Sequence, residues 1–169
     1  MSERRETDLC LRPAEPGDYP LALALYLEGA KKHLTKIGRW DEDRFTALFY
    51  QGYRQEQTRI ICVEGRVVGF IQVVDFTDRL YLRQLHLIDG FRGRGIGSAL
   101  IGAELKRGVE TGRPVTLDVM HGNPAKRLYV RLGFAVTGQD PDKEQMIWPL
   151  PGKPKPRTSR KRSAPDDRR

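Results

Sequence analysis

Cysteine and long apolar runs are scarce in this 169-residue chain, and each scarcity excludes a class of protein. The two cysteines, Cys10 and Cys62, have no metal-ligand spacing, and both lie in apolar, strand-like contexts. We therefore expect reduced core residues and no metal site. No apolar run is long enough to span a bilayer. Because the polar N-terminal segment lacks the apolar stretch of a secretory signal, we expect a cytoplasmic protein with no membrane partner.

The formal net charge of +8 is concentrated at one end of the sequence. Residues 150–169 contain eight basic and two acidic side chains, whereas the remaining 149 residues contain 22 basic and 20 acidic ones. The terminal segment is also rich in Pro and Ser and has no apolar periodicity, which is typical of disorder. We therefore predict one domain over residues 1–150 and a disordered basic tail over residues 151–169. Such a tail predicts weak, salt-dependent contact with polyanions.

Apolar periodicity and turn residues predict the order of the elements, and no internal repeat is visible. Strands are expected at residues 9–13, 58–63, 67–74, 80–87, 115–120, 134–137 and 145–148. Helices are expected after Asp18, over residues 42–53, from residue 96 to a stop signal at 111–114, and over residues 123–132. Asp18 and Asp41 are suited to cap the first two helices. This order predicts an α+β protein whose sheet carries helices on both faces.

A strand, a glycine-rich loop and a helix follow one another in the middle of the sequence. Residues 80–87 alternate in polarity, which places Leu80, Leu82 and Gln84 on one face of the strand. The loop that follows, residues 90–97, is dense in Gly and Arg. Free amides and the dipole at a helix N-terminus attract an anion, and glycines let the backbone approach it closely. The sequence therefore predicts a pyrophosphate-binding loop.

The spacing of this loop excludes two common nucleotide-binding patterns. A Walker P-loop requires Lys after its last Gly, but Gly95 is followed by Ile96. The Rossmann pattern G-x-G-x-x-G requires a third Gly at a position occupied by Ser98 or Leu100. The pattern R-x-x-G-x-G does fit, over residues 92–97, and it resembles the acetyl-CoA loop of the GNAT (Gcn5-related) N-acetyltransferase family. A tight strand-to-helix connection with solvated arginines is the alternative that the loop alone leaves open.

A second segment also resembles the GNAT family. Residues 123–134 read N-P-A-K-R-L-Y-V-R-L-G-F, similar to the N…A…LY…LGF helix that packs against the cofactor in that family. The alternative is a plain amphipathic helix that packs through Leu128 and Leu132. The resemblance extends in element order over residues 9–150. It implies the GNAT fold, a central, mostly antiparallel twisted sheet that is splayed in its middle, with helices on both faces.

The resemblance implies a binding site for acetyl-CoA as co-substrate. Main-chain groups of the strand before the loop would bind the pantetheine arm, and the loop amides would bind the pyrophosphate. Asn123 would hydrogen-bond the pantetheine arm, whereas Arg92 either contacts phosphate or fixes the loop. The cofactor-binding residues expected on this basis are Leu85, His86, Leu87, Arg92, Gly93, Arg94, Gly95, Ile96, Gly97, Ser98, Asn123 and Tyr129.

The resemblance also implies catalytic roles. Tyr129 matches the family tyrosine that gives a proton to the departing sulfur, and an N–H group near Leu87 would stabilise the oxyanion. Two residues are candidate general bases. Asp118 occupies a strand position where some members have Glu, and His86 could titrate in a useful range. A structural role is the alternative for both. Arg83 stands where the family commonly has Glu, so this chain departs from the usual carboxylate–water relay.

The function implied is transfer of an acetyl group from acetyl-CoA to a primary amine, by direct attack through a tetrahedral intermediate. The alternative is a module of GNAT fold that binds acyl-CoA without catalysis, as a sensor or partner. In this fold the acceptor groove corresponds to residues 29–53 and 137–148. The mixed charge of these segments selects neither a small-molecule nor a peptide amine. A homodimer is compatible with the sequence.

Overall fold

The computed structural model describes residues 8–153, and this part of the chain forms seven strands and four α-helices. The strands are β1 (Leu9–Pro13), β2 (Thr58–Val63), β3 (Arg66–Asp75), β4 (Leu80–Leu87), β5 (Val115–Met120), β6 (Ala135–Gln139) and β7 (Lys143–Trp148). The helices are α1 (Tyr19–Leu34), α2 (Glu42–Gly52), α3 (Ile96–Thr111) and α4 (Lys126–Arg131). The predicted order is confirmed. Helix α4 is shorter than predicted because turns and coil occupy residues 121–125.

The described strands form one sheet in the order β1-β2-β3-β4-β5-β7-β6. Neighbouring strands are antiparallel except β4 and β5, which are parallel because α3 connects them as a crossover. The prediction of an α+β fold with a mostly antiparallel sheet is therefore confirmed.

Strands β4 and β5 separate after a short paired section. Residues 80–82 pair with residues 115–117, and no pairing between the two strands follows in the described structure. Beyond that point β4 remains paired with β3 and β5 remains paired with β7. The facing edges of β4 and β5 therefore diverge into a cleft in the middle of the sheet, as the predicted splay requires.

A β-bulge at Arg83 interrupts the alternation of β4. Gln72 of β3 pairs with Gln84, but Val73 pairs with Leu82, so Arg83 is an extra residue in this strand. The prediction that Gln84 shares a face with the leucines is therefore wrong, because the extra residue reverses the alternation that follows. The leucines on both sides of the bulge now pack against the same core.

Two apolar cores lie on opposite faces of the sheet. One joins the sheet to α3 and contains the fully buried Ile101 and Val115. The other joins the sheet to α1 and α2, and Tyr26, Phe49 and Phe70 are buried in it. Removal of this apolar surface from water stabilises the helices on their faces. It also leaves the splayed part of the sheet between α3 on one side and the end of α2 on the other.

Two local predictions are wrong. Cys10 is exposed because β1 is the edge strand, although it lies directly opposite the buried Cys62 of β2. Both thiols are free. The Asp18 side chain makes no capping bond to α1, because its carboxylate accepts hydrogen bonds from Arg12 at 2.7 and 2.8 Å. Asp41 does cap α2, since its side chain accepts a hydrogen bond from a first-turn amide.

The predicted basic tail lies outside the described residues, apart from residues 151–153. Between residues 8 and 153, no helix has both the length and the apolar character that a membrane crossing requires. Over the same range, no group of three or more His, Cys, Asp or Glu side chains is arranged to hold a metal ion.

Candidate active site

The loop between β4 and α3 presents six consecutive amide groups. Within the described structure, the amides of residues 93–98 donate to no backbone carbonyl, and the amide of Ala99 begins the hydrogen bonding of α3. Gly93 and Gly95 have φ values of 73° and 81°, in the left-handed region that favours glycine. Left-handed residues in such a turn gather successive N–H groups into an anion-binding concavity. Together with the dipole of α3, this loop is suited to a pyrophosphate.

The arginines of the loop hold its shape. Arg92 Nε donates to the Leu87 carbonyl at 2.8 Å, and Arg92 Nη1 forms an ion pair with Asp89 at 2.7 Å. The geometry therefore favours loop fixing over phosphate contact for Arg92. The Arg94 guanidinium lies 4.7 Å from the centroid of the Phe91 ring and is exposed beside the free amides. Its charge adds to the positive potential of the loop.

Main-chain groups of Leu85 and Leu87 point into the cleft. The amide of Ile88 donates to the Val68 carbonyl of β3 at 2.9 Å, and main-chain directions alternate along an antiparallel strand. Leu85 and Leu87 therefore direct their N–H and C=O groups away from β3. By the same alternation, the main-chain groups of His86 face β3. Of the three predicted main-chain contacts on β4, the structure places two at the cleft.

Strand β4, the start of α3 and helix α4 meet beside the loop. A Cβ atom at Gly97 would lie 3.4 Å from the Leu128 side chain and 3.9 Å from that of Leu85, so this position is closely packed. Asn123 Oδ1 accepts a hydrogen bond from the Ala125 amide at 2.9 Å. That bond holds the turn before α4 and engages Oδ1 of Asn123. The Nδ2 group of Asn123 is therefore the part that could donate to a ligand.

Tyr129 lies in α4 and is suited to donate a proton. Its ring is 5.8 Å from the Phe134 ring, and burial raises the pKa of Tyr129 to about 12. The hydroxyl makes no hydrogen bond to another residue in the range 8–153. Tyr129 is protonated at neutral pH, as any phenol is, and its hydroxyl has no acceptor among the described residues, so it is free to donate to a ligand.

The His86 side chain is enclosed on the face that carries α1. Its ring stacks on Phe70 at 5.2 Å and meets the edge of Tyr26 at 5.8 Å. With Nε2 assigned as the protonated nitrogen, it donates to Gln84 Oε1 at 2.8 Å. Nδ1 then faces α1, where a Cβ atom on Gly29 would lie only 3.0 Å away. The nitrogen able to accept a proton therefore faces α1 rather than the cleft, which argues against His86 as the base.

Replacing His86 with Phe should reduce the loss of stability in acid. Burial, with a smaller contribution from the charge of Arg92, lowers the pKa of His86 to about 4. A free imidazole has a pKa of about 6.5, so the unfolded state binds more protons between these values. Stability is retained above the unfolded pKa and falls as the pH drops toward 4. In urea unfolding, we expect the loss between pH 7 and pH 4.5 to be about 2 kcal/mol larger for wild type than for His86→Phe. Equal losses would contradict a buried neutral imidazole.

The Asp118 carboxylate is bound by two neighbours. Oδ2 accepts hydrogen bonds from Lys143 Nζ at 2.5 Å and from the Tyr81 hydroxyl at 3.2 Å. The hydrogen bond with Asp118 is the main reason that the pKa of Lys143 is raised. Burial, and next the charge of Asp118, raise the pKa of Tyr81. Asp118 is therefore an ion-paired residue at the start of the splay; both contacts are to Oδ2, and Oδ1 accepts no hydrogen bond from residues 8–153.

A cavity of about 400 Å³ opens where β4 and β5 begin to separate. The side chains that line it include Tyr81, Arg83, Thr116, Asp118, Gln145 and Ile147, from strands β4, β5 and β7. Arg83 Nη1 donates to the Gly52 carbonyl at the end of α2, at 3.2 Å, and its guanidinium is 5.7 Å from the Tyr81 ring centroid. The cavity adjoins the cleft on the face opposite α3. The last hairpin, β4, β5 and the turn before β4 line it, and the end of α2 lies beside it through the contact of Gly52 with Arg83.

Two residues of this region, Tyr81 and Lys143, were not expected from the sequence. Tyr81 could have been found, because its neighbours Leu80 and Leu82 are apolar and strand alternation turns it to the opposite face. Lys143 had no comparable signal, since its contact with Asp118 depends on the register between β5 and β7.

Comparison with known proteins agrees with this geometry. The acetyltransferase (GNAT) family matches residues 25–134. PaiA N-acetyltransferase from Thermoplasma acidophilum, solved in complex with coenzyme A, is 18% identical with a TM-score of 0.67, over 83% of this chain and 98% of that chain. Ard1 from Thermoplasma volcanium is 24% identical with a TM-score of 0.60, over 84% of this chain and 97% of that one. An acetyltransferase from Thermus thermophilus is 20% identical with a TM-score of 0.63, over 84% and 97%. None of the curated protein sequences matches the chain.

A sheet splayed between two parallel strands, with an amide-lined loop at its centre, defines the acetyltransferase class of fold. Because the family match covers more than half of the sequence, the chain belongs to the GNAT acetyltransferase family.

Proposed function

We propose that the protein is an acetyl-CoA-dependent N-acetyltransferase that acts on a primary amine. The observation that carries this proposal is the row of six amides, residues 93–98, at the start of α3, which donate to no backbone carbonyl within residues 8–153. These amides would hold the pyrophosphate of coenzyme A. Leu85 offers main-chain groups to the pantetheine arm, and Asn123 offers its Nδ2 group, whereas the Leu87 carbonyl already accepts from Arg92. The loop and the cleft therefore fit the two polar parts of one elongated ligand.

The chemistry needs an activated acyl group, an oxyanion site and an acid. Acetyl-CoA supplies the thioester. The amine nitrogen bonds to the carbonyl carbon, the carbon–sulfur bond breaks, the amine loses one proton and the sulfur gains one. We assign the Leu87 amide to the oxyanion of the tetrahedral intermediate, because it points into the cleft and needs no reorganisation. We assign Tyr129 as the proton donor to sulfur, because α4 packs beside β4 and the start of α3 and the Tyr129 hydroxyl is held by no other residue in the range 8–153.

The base is assigned to neither sequence candidate. Asp118 is held by Lys143 and Tyr81, and the free nitrogen of His86 faces α1. The acceptor would then enter as the neutral amine, and its proton would leave to water. In this proposal Asp118 positions Tyr81 at the cavity wall, and His86 supports the packing of β4 against α1.

Two measurements test the proposal. Calorimetric titration with acetyl-CoA should give one site per chain, and free-thiol assays with amino acids, peptides, polyamines and aminoglycosides should show release that depends on an amine. Absence of acetyl-CoA binding would overturn the proposal. The second candidate is an acyl-CoA-binding sensor or partner module, which the ion pair of Asp118 and the enclosure of His86 favour. Binding without release for any amine would support that candidate instead.

A further inference from the structure

We infer that the acceptor carries an anionic group, a carboxylate or a phosphate, in addition to its amine, and that Arg83 binds this group. The inference rests on the proposed function and concerns the cavity beside the cleft. Arg83 is the inserted residue of the bulge in β4, and strands β4 and β5 begin to separate at this residue. A bulge re-aims the side chain that it carries. Here it places a guanidinium in the wall of the cavity, next to the first unpaired residues of the two strands.

The charge balance of the cavity leaves Arg83 without a counter-ion. Asp118 is the carboxylate among the lining residues, and it is paired with Lys143. Arg79, the other lining arginine, pairs with Asp78 at 3.0 Å. Across residues 8–153, Arg83 has no acidic side chain within ion-pair distance, and its polar contact is the Gly52 carbonyl. Most of its N–H groups therefore remain available to a ligand, in a cavity with net positive charge.

An arginine in this setting selects its ligand by shape and by charge. The planar guanidinium matches two oxygens of a carboxylate or phosphate and binds them in a fork. The same charge repels acceptors that carry several ammonium groups, which disfavours polyamines and aminoglycosides. A cavity of about 400 Å³ has the size of a small-molecule site. Arg83 lies where the splay begins, so an anion bound to it would lie on the acceptor side of the cleft, and free α-amino acids are the simplest acceptors that combine an amine with such an anion.

The experiment compares acceptors that differ only in the anion. Free-thiol release at saturating acetyl-CoA is measured for α-amino acids and for their carboxamides. O-phosphoethanolamine and putrescine are tested as additional acceptors. For the preferred side chain, we expect kcat/KM of the acid to exceed that of its amide by about 10- to 100-fold, the range of a charge-assisted hydrogen bond. Faster turnover of O-phosphoethanolamine than of any amino acid would identify phosphate as the anion. A preference for putrescine or for the amides would overturn the inference while leaving the proposed function intact.

Variants of Arg83 show whether this residue is responsible. Arg83→Gln should bring the acid-to-amide ratio close to one, and Arg83→Lys should retain part of it because charge remains without the fork. Lys106→Gln removes the same unit of charge from an exposed position of α3 and should keep the wild-type ratio. Thermal unfolding of each variant checks that the Gly52 contact is not essential for folding. An unchanged acid-to-amide ratio in folded Arg83→Gln would overturn the inference. If none of the amines gave thiol release, the proposed function would be overturned together with it.

Discussion

Replacing Tyr129 with Phe should lower kcat by about 100-fold or more, while the affinity for acetyl-CoA stays within about twofold of wild type. The phenol is protonated throughout the neutral range, and burial raises its pKa to about 12, so it gives up the proton only as negative charge develops on the sulfur. Without the hydroxyl, the developing thiolate has no donor in a partly buried site, and the loss is confined to the chemical step. Steady-state thiol release at saturating amine gives kcat, and calorimetry gives the dissociation constant of acetyl-CoA.

The matched control for this change is Tyr53→Phe. The Tyr53 hydroxyl is also buried, and it has no hydrogen-bond partner among the described residues. It lies at the end of α2, away from α4, so its removal should leave kcat unchanged. Wild-type turnover in Tyr129→Phe would exclude Tyr129 as the acid. A fall in kcat that is matched by an equal fall in acetyl-CoA affinity would indicate that Tyr129 positions the ligand.

Replacing Gly95 with Val should abolish measurable binding of acetyl-CoA. Gly95 has a φ of 81° and lies in the middle of the unpaired amides, so a β-branched residue would distort the loop and put methyl groups where the ligand approaches. The backbone strain should also reduce the free energy of unfolding by about 1–2 kcal/mol. Calorimetry measures the binding, and urea unfolding measures the stability.

Gly112 offers a control with the same backbone strain. It ends α3 with a φ of 67°, and, as at Gly95, no atom of the described structure lies close to the position that a Cβ would take. Gly112→Val should therefore lose a similar amount of stability but bind acetyl-CoA normally. If Gly95→Val also retained wild-type affinity, the pyrophosphate site could not be this loop. If Gly112→Val lost binding equally, the effect would be one of global stability.

The order of elements and the glycine-rich connection between β4 and α3 were predictable because each is encoded locally. Turn residues such as Glu64 and Gly65, which both have positive φ, mark the ends of neighbouring strands, and periodicity distinguishes helix from strand between them. The spacing of the loop glycines and the helix around Tyr129 identified the family, which the match over residues 25–134 then confirmed.

Contacts between strands were not predictable to the same degree. A single inserted residue, Arg83, reverses the alternation of β4, and nothing in its own sequence distinguishes a bulge from a regular strand. The pairing of Asp118 with Lys143 depends on the register of β5 against β7, whose pairing residues are far apart in sequence.

The sequence by itself determined the fold class and led to the predictions for the loop at residues 92–97 and for Tyr129, because the motifs that carry the family resemblance are short-range patterns. The tertiary structure alone decided what surrounds the reacting amine. It enclosed His86 against α1, paired Asp118, and left Arg83 as a cation without a counter-ion among the described residues. The physical reason is that a side chain can react or bind a ligand only if its polar atoms are not already hydrogen-bonded to a neighbour. Strand register and the bulge decide which side chains are neighbours.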